Sequence, residues 1–182
     1  MIQFFRDSLS ALQRGRRFVA HDVWRIGRPG EEMPHGFIIG SDHRGLAMKT
    51  ALKKLMQGLG MAVEDAGPFT DGSADYPEFA AKVARAVANG ACDRGMLICG
   101  SGIGMSMTAN KFRGIRAALC HDGQTAKMCR LHNDANVLVM GEAIGIEQAC
   151  QMARIWLETP FEGGRHQRRL DMIAAIEKEN FK

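Results

Sequence analysis

The chain has 182 residues, 46% of them hydrophobic and 24% charged, with a formal net charge of +4. Those proportions describe a globular protein with one ordinary core and exclude extended disorder. No apolar run approaches the ~20 residues of a membrane-spanning helix, and the 21 glycines follow no three-residue period of the collagen kind. The basic residues are scattered among almost as many acidic ones. That pattern argues against a nucleic acid or a membrane as partner, and it suits a basic pocket for a small phosphorylated ligand.

Five cysteines, Cys92, Cys99, Cys120, Cys129 and Cys150, form an odd set without a Cys-x-x-Cys spacing. Reduced thiols in a reducing compartment are expected, which points to the cytoplasm. Structural zinc sites bring their ligands in close pairs. Cys120 and His121 are adjacent and would point apart on a strand, so neither a metal nor any other cofactor is expected.

In chain order, residues 1–35 stand apart. They carry Arg6, Arg14, Arg16, Arg17, Arg25 and Arg28 and lack the apolar stretch of a secretory signal. Residues 2–19 could form a basic amphipathic helix with Phe4, Phe5, Leu9 and Leu12 on one side. The segment reads as an N-terminal appendage to a domain spanning 36–182. Phe37-Ile38-Ile39 predicts a buried strand, and Met48, Leu52, Leu55, Met56 and Leu59 a helix stopped by Gly58 and Gly60. Met61-Ala62-Val63 predicts a short strand, and a polar loop spans 67–75. Pro77 opens a helix through Ala88. Strands follow at Gly95–Cys99, Ile115–Leu119 and Asn136–Met140, and helices at Met105–Phe112, Gln124–Leu131, Ile146–Leu157 and Arg165–Glu179. This alternation calls for an α/β fold: a three-layer, Rossmann-like arrangement of five mostly parallel strands with helices on both faces. Ligands in such folds sit at the carboxyl ends of strands.

The run Cys99-Gly100-Ser101-Gly102-Ile103-Gly104 occupies one such end. Its glycines allow close backbone approach and its N–H groups suit an anion. Met105 stands where a dinucleotide fingerprint needs its third glycine, and also where a Cys-x5-Arg phosphatase loop needs arginine; the Gly-Lys-Ser/Thr of a Walker loop is missing too. A thiol placed like Cys99 suits a nucleophile or a base, and it also suits a buried strand cysteine. Cys120 is a weaker candidate of the same kind, and Cys92, Cys129 and Cys150 are assigned to packing. Asp42-His43 ends the first strand and could move protons or contact phosphate, although Asp42 alone reads better as a helix cap. His132-Asn133-Asp134 alone reads as a turn. Arg165 and Arg169, four apart, share a helix face and could clamp one phosphate.

Taken together, these segments resemble the type B ribose-5-phosphate isomerases and the galactose-6-phosphate isomerase subunits. The matching stretches are Gly40-Ser41-Asp42-His43, Asp75-Tyr76-Pro77, Leu97 to Gly104, Ala109-Asn110-Lys111-Phe112, Gly114-Ile115-Arg116-Ala117, His132 to Asn136 and Phe161 to His166. They are collinear and cover the chain from about Gly36 to its end. The resemblance implies a metal-free interconversion of ribose 5-phosphate and ribulose 5-phosphate through a cis-enediolate, a step of pentose phosphate metabolism. By that likeness His132 assists ring opening and Cys99 moves the proton between C2 and C1. The N–H groups of Gly100, Ser101, Gly102, Ile103 and Gly104 hold the oxyanion. Ser101 supports the thiolate, and Asp42 exchanges protons with the sugar oxygens. His43, Arg165 and Arg169 take the phosphate, while Asn133 and Tyr76 line the pocket. The likeness also implies a homodimer or tetramer with each pocket built from two chains.

Residues 1–35 have no counterpart in that family. Arg44 replaces a small or neutral residue and would bring a third cation near the phosphate, which bears on substrate size. The competing readings are an isomerase of a four-carbon or six-carbon sugar phosphate such as allose or galactose 6-phosphate, a non-catalytic sugar-phosphate sensor, and a thiol hydrolase acting through a covalent Cys99 intermediate.

Overall fold

The computed structural model describes residues 36–180, so the appendage expected over 1–35 and its amphipathic helix lie outside the described residues. The strands are β1 (Phe37–Ser41), β2 (Val63–Asp65), β3 (Arg94–Cys99), β4 (Ala117–Leu119) and β5 (Val137–Gly141). The helices are α1 (Leu46–Gly58), α2 (Tyr76–Ala88), α3 (Ile103–Ala109), α4 (Gly123–Asn133), α5 (Ile146–Glu158) and α6 (Arg165–Asn180). The strands form one sheet in the order β2-β1-β3-β5-β4, and every neighbouring pair is parallel.

β2 lies two residues later than the sequence suggests. Its register against β1 pairs Phe37 with Val63 and Ile39 with Asp65. The Ala62 carbonyl instead accepts the Phe37 N–H at 3.0 Å, outside the strand. An edge strand of three residues is governed by this pairing rather than by its own hydrophobicity. α3 likewise begins two residues early and ends at Ala109, so it has only seven residues.

β1, β3 and β5 are buried almost throughout. Unbroken burial, without the alternation of a one-sided sheet, requires both faces to be covered. α2 and α3 cover one face; α1, α4 and α5 cover the other. α2 presents Phe79, Ala80, Val83, Ala84 and Val87 to the sheet. Val83 fits a dent left by two strand glycines: a Cβ on Gly95 would lie 2.5 Å from its Cγ1, and one on Gly40 3.0 Å from its Cγ2. On the other face, fully buried Trp156 of α5 meets Phe37 edge to face, with ring centroids 6.4 Å apart. Burial of each such large side chain contributes about 1.5–3 kcal/mol. Among the described residues, no helix is long and apolar enough to cross a membrane.

α1 also carries a charge into this interior. Lys49 is 1% exposed. Its Nζ donates to Asp65 Oδ1 and to the Pro68 carbonyl, each at 2.6 Å. Lys53 Nζ donates to Asp65 Oδ2 and the Gly67 N–H to Oδ1, both at 3.0 Å. These bonds tie the start of the loop over 67–75 to the helix. Burial by itself would raise the Asp65 pKa, but the hydrogen bonds from Lys49, Lys53 and Gly67 outweigh it and hold the carboxyl below its usual range. A lowered carboxyl contributes stability that is fully present above the unfolded value of about 3.9. That stability is lost as the pH falls through the folded value. Lys49→Met is therefore expected to lower the unfolding free energy by roughly 3 kcal/mol at neutral pH and to shrink the difference between neutral and acid pH. Urea unfolding at both pH values measures this; unchanged midpoints would refute the role given to Lys49.

Candidate active site

Parallel pairing sends every strand's carboxyl end to one edge of the sheet. β1 and β3 are neighbours there, with Ser41 opposite Ile98. The order of strand addition reverses between them, since β2 lies to one side of β1 and β3 to the other. A crevice at such a reversal is where open α/β sheets bind ligands. The Asp42 N–H donates to the Ile98 carbonyl at 3.1 Å, which fixes Asp42 beside the end of β3. Asp42 is buried, and its Oδ1 accepts the Gly45 N–H at 3.0 Å. The bond closes the turn before α1, whose first turn has no side-chain cap. The helix-cap reading of Asp42 is thus realised one turn early.

Cys99 ends β3 and is 5% exposed. The Gly102 N–H donates to its Sγ at 3.0 Å, placing a donor where the sulfur would carry negative charge. Only glycine serves at position 102. Its φ is +79°, and a Cβ would come within 2.4 Å of Leu119 Cδ1. Ser101 is exposed, and its Oγ accepts the Ile103 N–H at 3.3 Å. Two of the loop's N–H groups are therefore engaged within the loop, one by Cys99 and one by Ser101. The Tyr76 ring lies against Gly104, where a Cβ would sit 2.5 Å from ring carbons. His43 Nδ1 lies 3.2 Å from the Ala74 nitrogen and 3.3 Å from the Ala74 carbonyl oxygen, so this backbone unit anchors the ring through that nitrogen. The third cation expected at Arg44 is not a free one: Arg44 is paired with Glu142, and its guanidinium lies across Gly100.

His132 and Asn133 form the last turn of α4. Asp134 caps it in the left-handed region, φ 44°. The Asp134 carboxylate receives Arg130 Nη1 at 2.6 Å and Arg116 Nη2 at 2.9 Å. Arg116 Nε also donates to the carbonyls of Asn133 and Asp134, at 3.1 and 3.0 Å. Two guanidiniums thus hold the turn that presents His132. The His132 ring stacks on His166, centroids 4.1 Å apart and 5° from parallel. Glu162 Oε2 is 3.7 Å from Nε2 of each. Burial, together with His132, Arg165 and Arg169, pushes His166 below its usual pKa, while Glu162 opposes them. Arg165 and Arg169 are exposed one turn apart on α6, and neither meets a carboxylate among the described residues.

His132, Glu162 and His166 are the group among the described residues with metal-ligand spacing, all ligand atoms lying within 4.8 Å. Arg165 Nε donates to His166 Nε2 at 3.3 Å. That bond occupies the lone pair a metal would need and sets a positive charge beside it, so the trio fits a cation poorly.

Glu162, His166 and the three-residue clamp of Arg116, Arg130 and Asp134 are contributors that sequence reasoning did not single out. The four-residue spacings of Arg130–Asp134 and Glu162–His166 were available as a signal; the ring stack was not.

These residues form two groups rather than one. Asp42, His43, Tyr76, Cys99 and the loop over 100–104 lie at the carboxyl edge. α4 starts at that edge, after β4, and ends just before β5 begins, so His132 and Asn133 lie at the amino edge. α5 descends in the same sense, and the Glu162 N–H bonds the Leu131 carbonyl at 3.0 Å. Arg165 and Arg169 follow at the same edge. An eleven-residue helix separates the edges by about 16 Å. A single chain thus carries two half-sites facing opposite ways.

Residues 37–173 match the model of the Ribose/Galactose Isomerase family. The chain is 44% identical to the ribose-5-phosphate isomerase B of Escherichia coli over 140 residues, 76% of this chain and 94% of that one. The structure of Clostridium thermocellum ribose-5-phosphate isomerase B superposes with a TM-score of 0.77 at 46% identity, covering 79% of this chain and 97% of the other. The Mycoplasma genitalium ribose-5-phosphate isomerase B, with bound ribulose-5-phosphate, gives 0.76 at 41% identity over 79% and 97%. The sheet, the glycine loop and both half-sites fall within the matched span, and the chain belongs to the ribose/galactose isomerase family and is an isomerase.

Proposed function

We propose that this isomerase interconverts ribose 5-phosphate and ribulose 5-phosphate in the cytoplasm, as a homodimer whose two pockets are each completed by the second chain. The observation that carries the reading is Cys99 at the sheet's reversal, directly after the residue whose carbonyl accepts the Asp42 N–H, with the Gly102 N–H on its sulfur. The ligand of the Mycoplasma genitalium relative supports the choice of a five-carbon substrate.

Pairing answers the separation of the half-sites. Ile103 and Met107 are exposed on α3 beside the first half; Met172, Ile173 and Ile176 are exposed on α6 beyond the second. Covering α3 of one copy with α6 of another removes both apolar faces from water and sets the carboxyl edge of one copy against the amino edge of its mate. Each two-fold dimer then has two complete pockets.

In such a pocket the phosphate dianion sits between the His43 ring and the Arg165 and Arg169 of the second chain, which anchors the sugar. His132, stacked on His166, takes the proton of the anomeric hydroxyl and delivers it to the ring oxygen as the ring opens. The Cys99 thiolate removes the C2 proton of the open aldose. The electron pair moves to the C1 carbonyl oxygen, giving a cis-enediolate held by N–H groups of the glycine loop. The same proton returns to C1, while Asp42 shifts a proton between the two oxygens and leaves a ketone at C2. No electron leaves the substrate, so the chemistry needs no redox partner.

Family membership also admits galactose 6-phosphate, and the length of the loop over 67–75 bears on that choice. Assay of both sugars decides between them: turnover with the hexose phosphate alone would overturn the pentose assignment.

Cys99→Ala is expected to lower kcat about 10²–10⁴-fold with KM little changed, as read by ribulose 5-phosphate formation. Retention of turnover would remove Cys99 as the base. Arg165→Ala is expected to raise KM roughly tenfold or more, the loss of one charge-assisted phosphate contact; an effect confined to kcat would contradict the clamp. Co-expressed Cys99→Ala and His132→Ala chains, each inactive alone, are expected to recover about a quarter of wild-type activity, because half the dimers are mixed and each mixed dimer holds one intact pocket. No recovery would sink the shared-site arrangement.

A further inference from the structure

One pair of thiols outside both half-sites remains without a role. Cys120 follows β4 and is fully buried; Cys129 lies on α4 and is half-buried. Their sulfurs are 3.7 Å apart; Cys120 Sγ also lies 3.6 Å from the Ala118 carbonyl oxygen, and Cys129 Sγ 3.3 Å from that of Ala126. Between them the chain makes a rigid turn, in which Asp122 and Thr125 cap the start of α4 reciprocally.

We propose that Cys120 and Cys129 form a modification site, a dithiol that a hydroperoxide closes to a disulfide, with Cys129 as the thiol attacked first and Cys120 as the one that resolves it. The Cys129 thiolate attacks one peroxide oxygen; the S–O bond forms, the O–O bond breaks, and the departing hydroxide takes up a proton as water. The Cys120 thiol then attacks the Cys129 sulfenic acid. The S–S bond forms, the S–O bond breaks, and the hydroxyl leaves with the Cys120 proton as a second water. The two thiols lose two electrons and the peroxide gains two.

Several features select this pair. The sulfurs need approach by only about 1.7 Å to reach disulfide length. The Cys120 thiol, against the opposing effect of burial, and then the Arg130 charge pull Cys129 below the usual thiol range. The Trp156 indole N–H, buried with no full hydrogen bond of its own, faces the same sulfur. Cys120 is pushed up by Cys129 and by burial, so it is not the thiol oxidised first. Cys92 is raised by burial and by Glu64 and Asp93, and Cys150 by burial, so neither competes as a thiolate.

The test uses the full chain carrying Cys99→Ala, so that the candidate catalytic thiol does not consume oxidant. Hydrogen peroxide is added, free thiols are blocked, and tryptic peptides are read without reduction. Cleavage after Arg116, Lys127 and Arg130 puts Cys120 in 117–127 and Cys129 in 128–130. The expected result is a linked pair of these peptides, lighter by two hydrogens than their sum and separated by dithiothreitol. In a Cys120→Ala background, dimedone is expected to trap the sulfenic acid on Cys129. Unlinked peptides with sulfinic acid on Cys129, or a disulfide to Cys92 or Cys150 instead, would overturn the proposal. So would dimedone labelling on Cys120 in Cys129→Ser with none on Cys129 in the reciprocal variant, by reversing the order of attack.

Discussion

The parallel pairing of β1 with β3 is the constraint on which the rest of the molecule rests. It fixes Ser41 opposite Ile98, and through one backbone hydrogen bond it sets Asp42 beside the residue before Cys99. A one-residue slip would turn the β3 side chains to the other face and move the thiol away from its glycine loop. The register is held by burial on both sides: Val83 in the dent between Gly40 and Gly95 on one face, Trp156 against Phe37 on the other. The core therefore sets the geometry of the candidate site as well as contributing stability.

The half-site at the amino edge is built on a different principle. It owes little to the sheet and much to charge. Asp134, in a conformation few non-glycine residues adopt, holds two guanidiniums and ends α4 where His132 can stack on His166. Burial, His132 and the charges of Arg165 and Arg169 lower the pKa of His166 against the pull of Glu162. A neutral ring accepts a proton, and a protonated one next to a bound phosphate would only add another cation. The same charges that suit an anionic ligand thus also set the environment of His166.

Much of this was legible in the sequence. The alternation of buried runs and helical stripes indicated the α/β fold, and Cys99 to Gly104 stood out because three glycines at a strand end exceed what a turn requires. The individual side chains were less legible. β2 was misplaced because an edge strand takes its limits from its neighbour. Arg44 looked like a free cation because its partner, Glu142, is 98 positions away. The separation of the half-sites follows from the insertion of β5 between β3 and β4 and from the direction of α4, neither of which shows in residue spacing. The contact between Cys120 and Cys129 was hidden similarly, since nine positions across a strand end and a helix start imply no particular distance.

The shared pocket proposed above has a thermodynamic corollary. If neither half binds the sugar phosphate well alone, the substrate has affinity only for the assembled form, and by mass action each bound molecule draws chains into dimers. The ligand then acts as an adhesive across the interface. The amount of functional enzyme would follow the supply of its own substrate as well as the concentration of chains, and the exposed apolar faces of α3 and α6 would be covered most completely when the pathway is busiest.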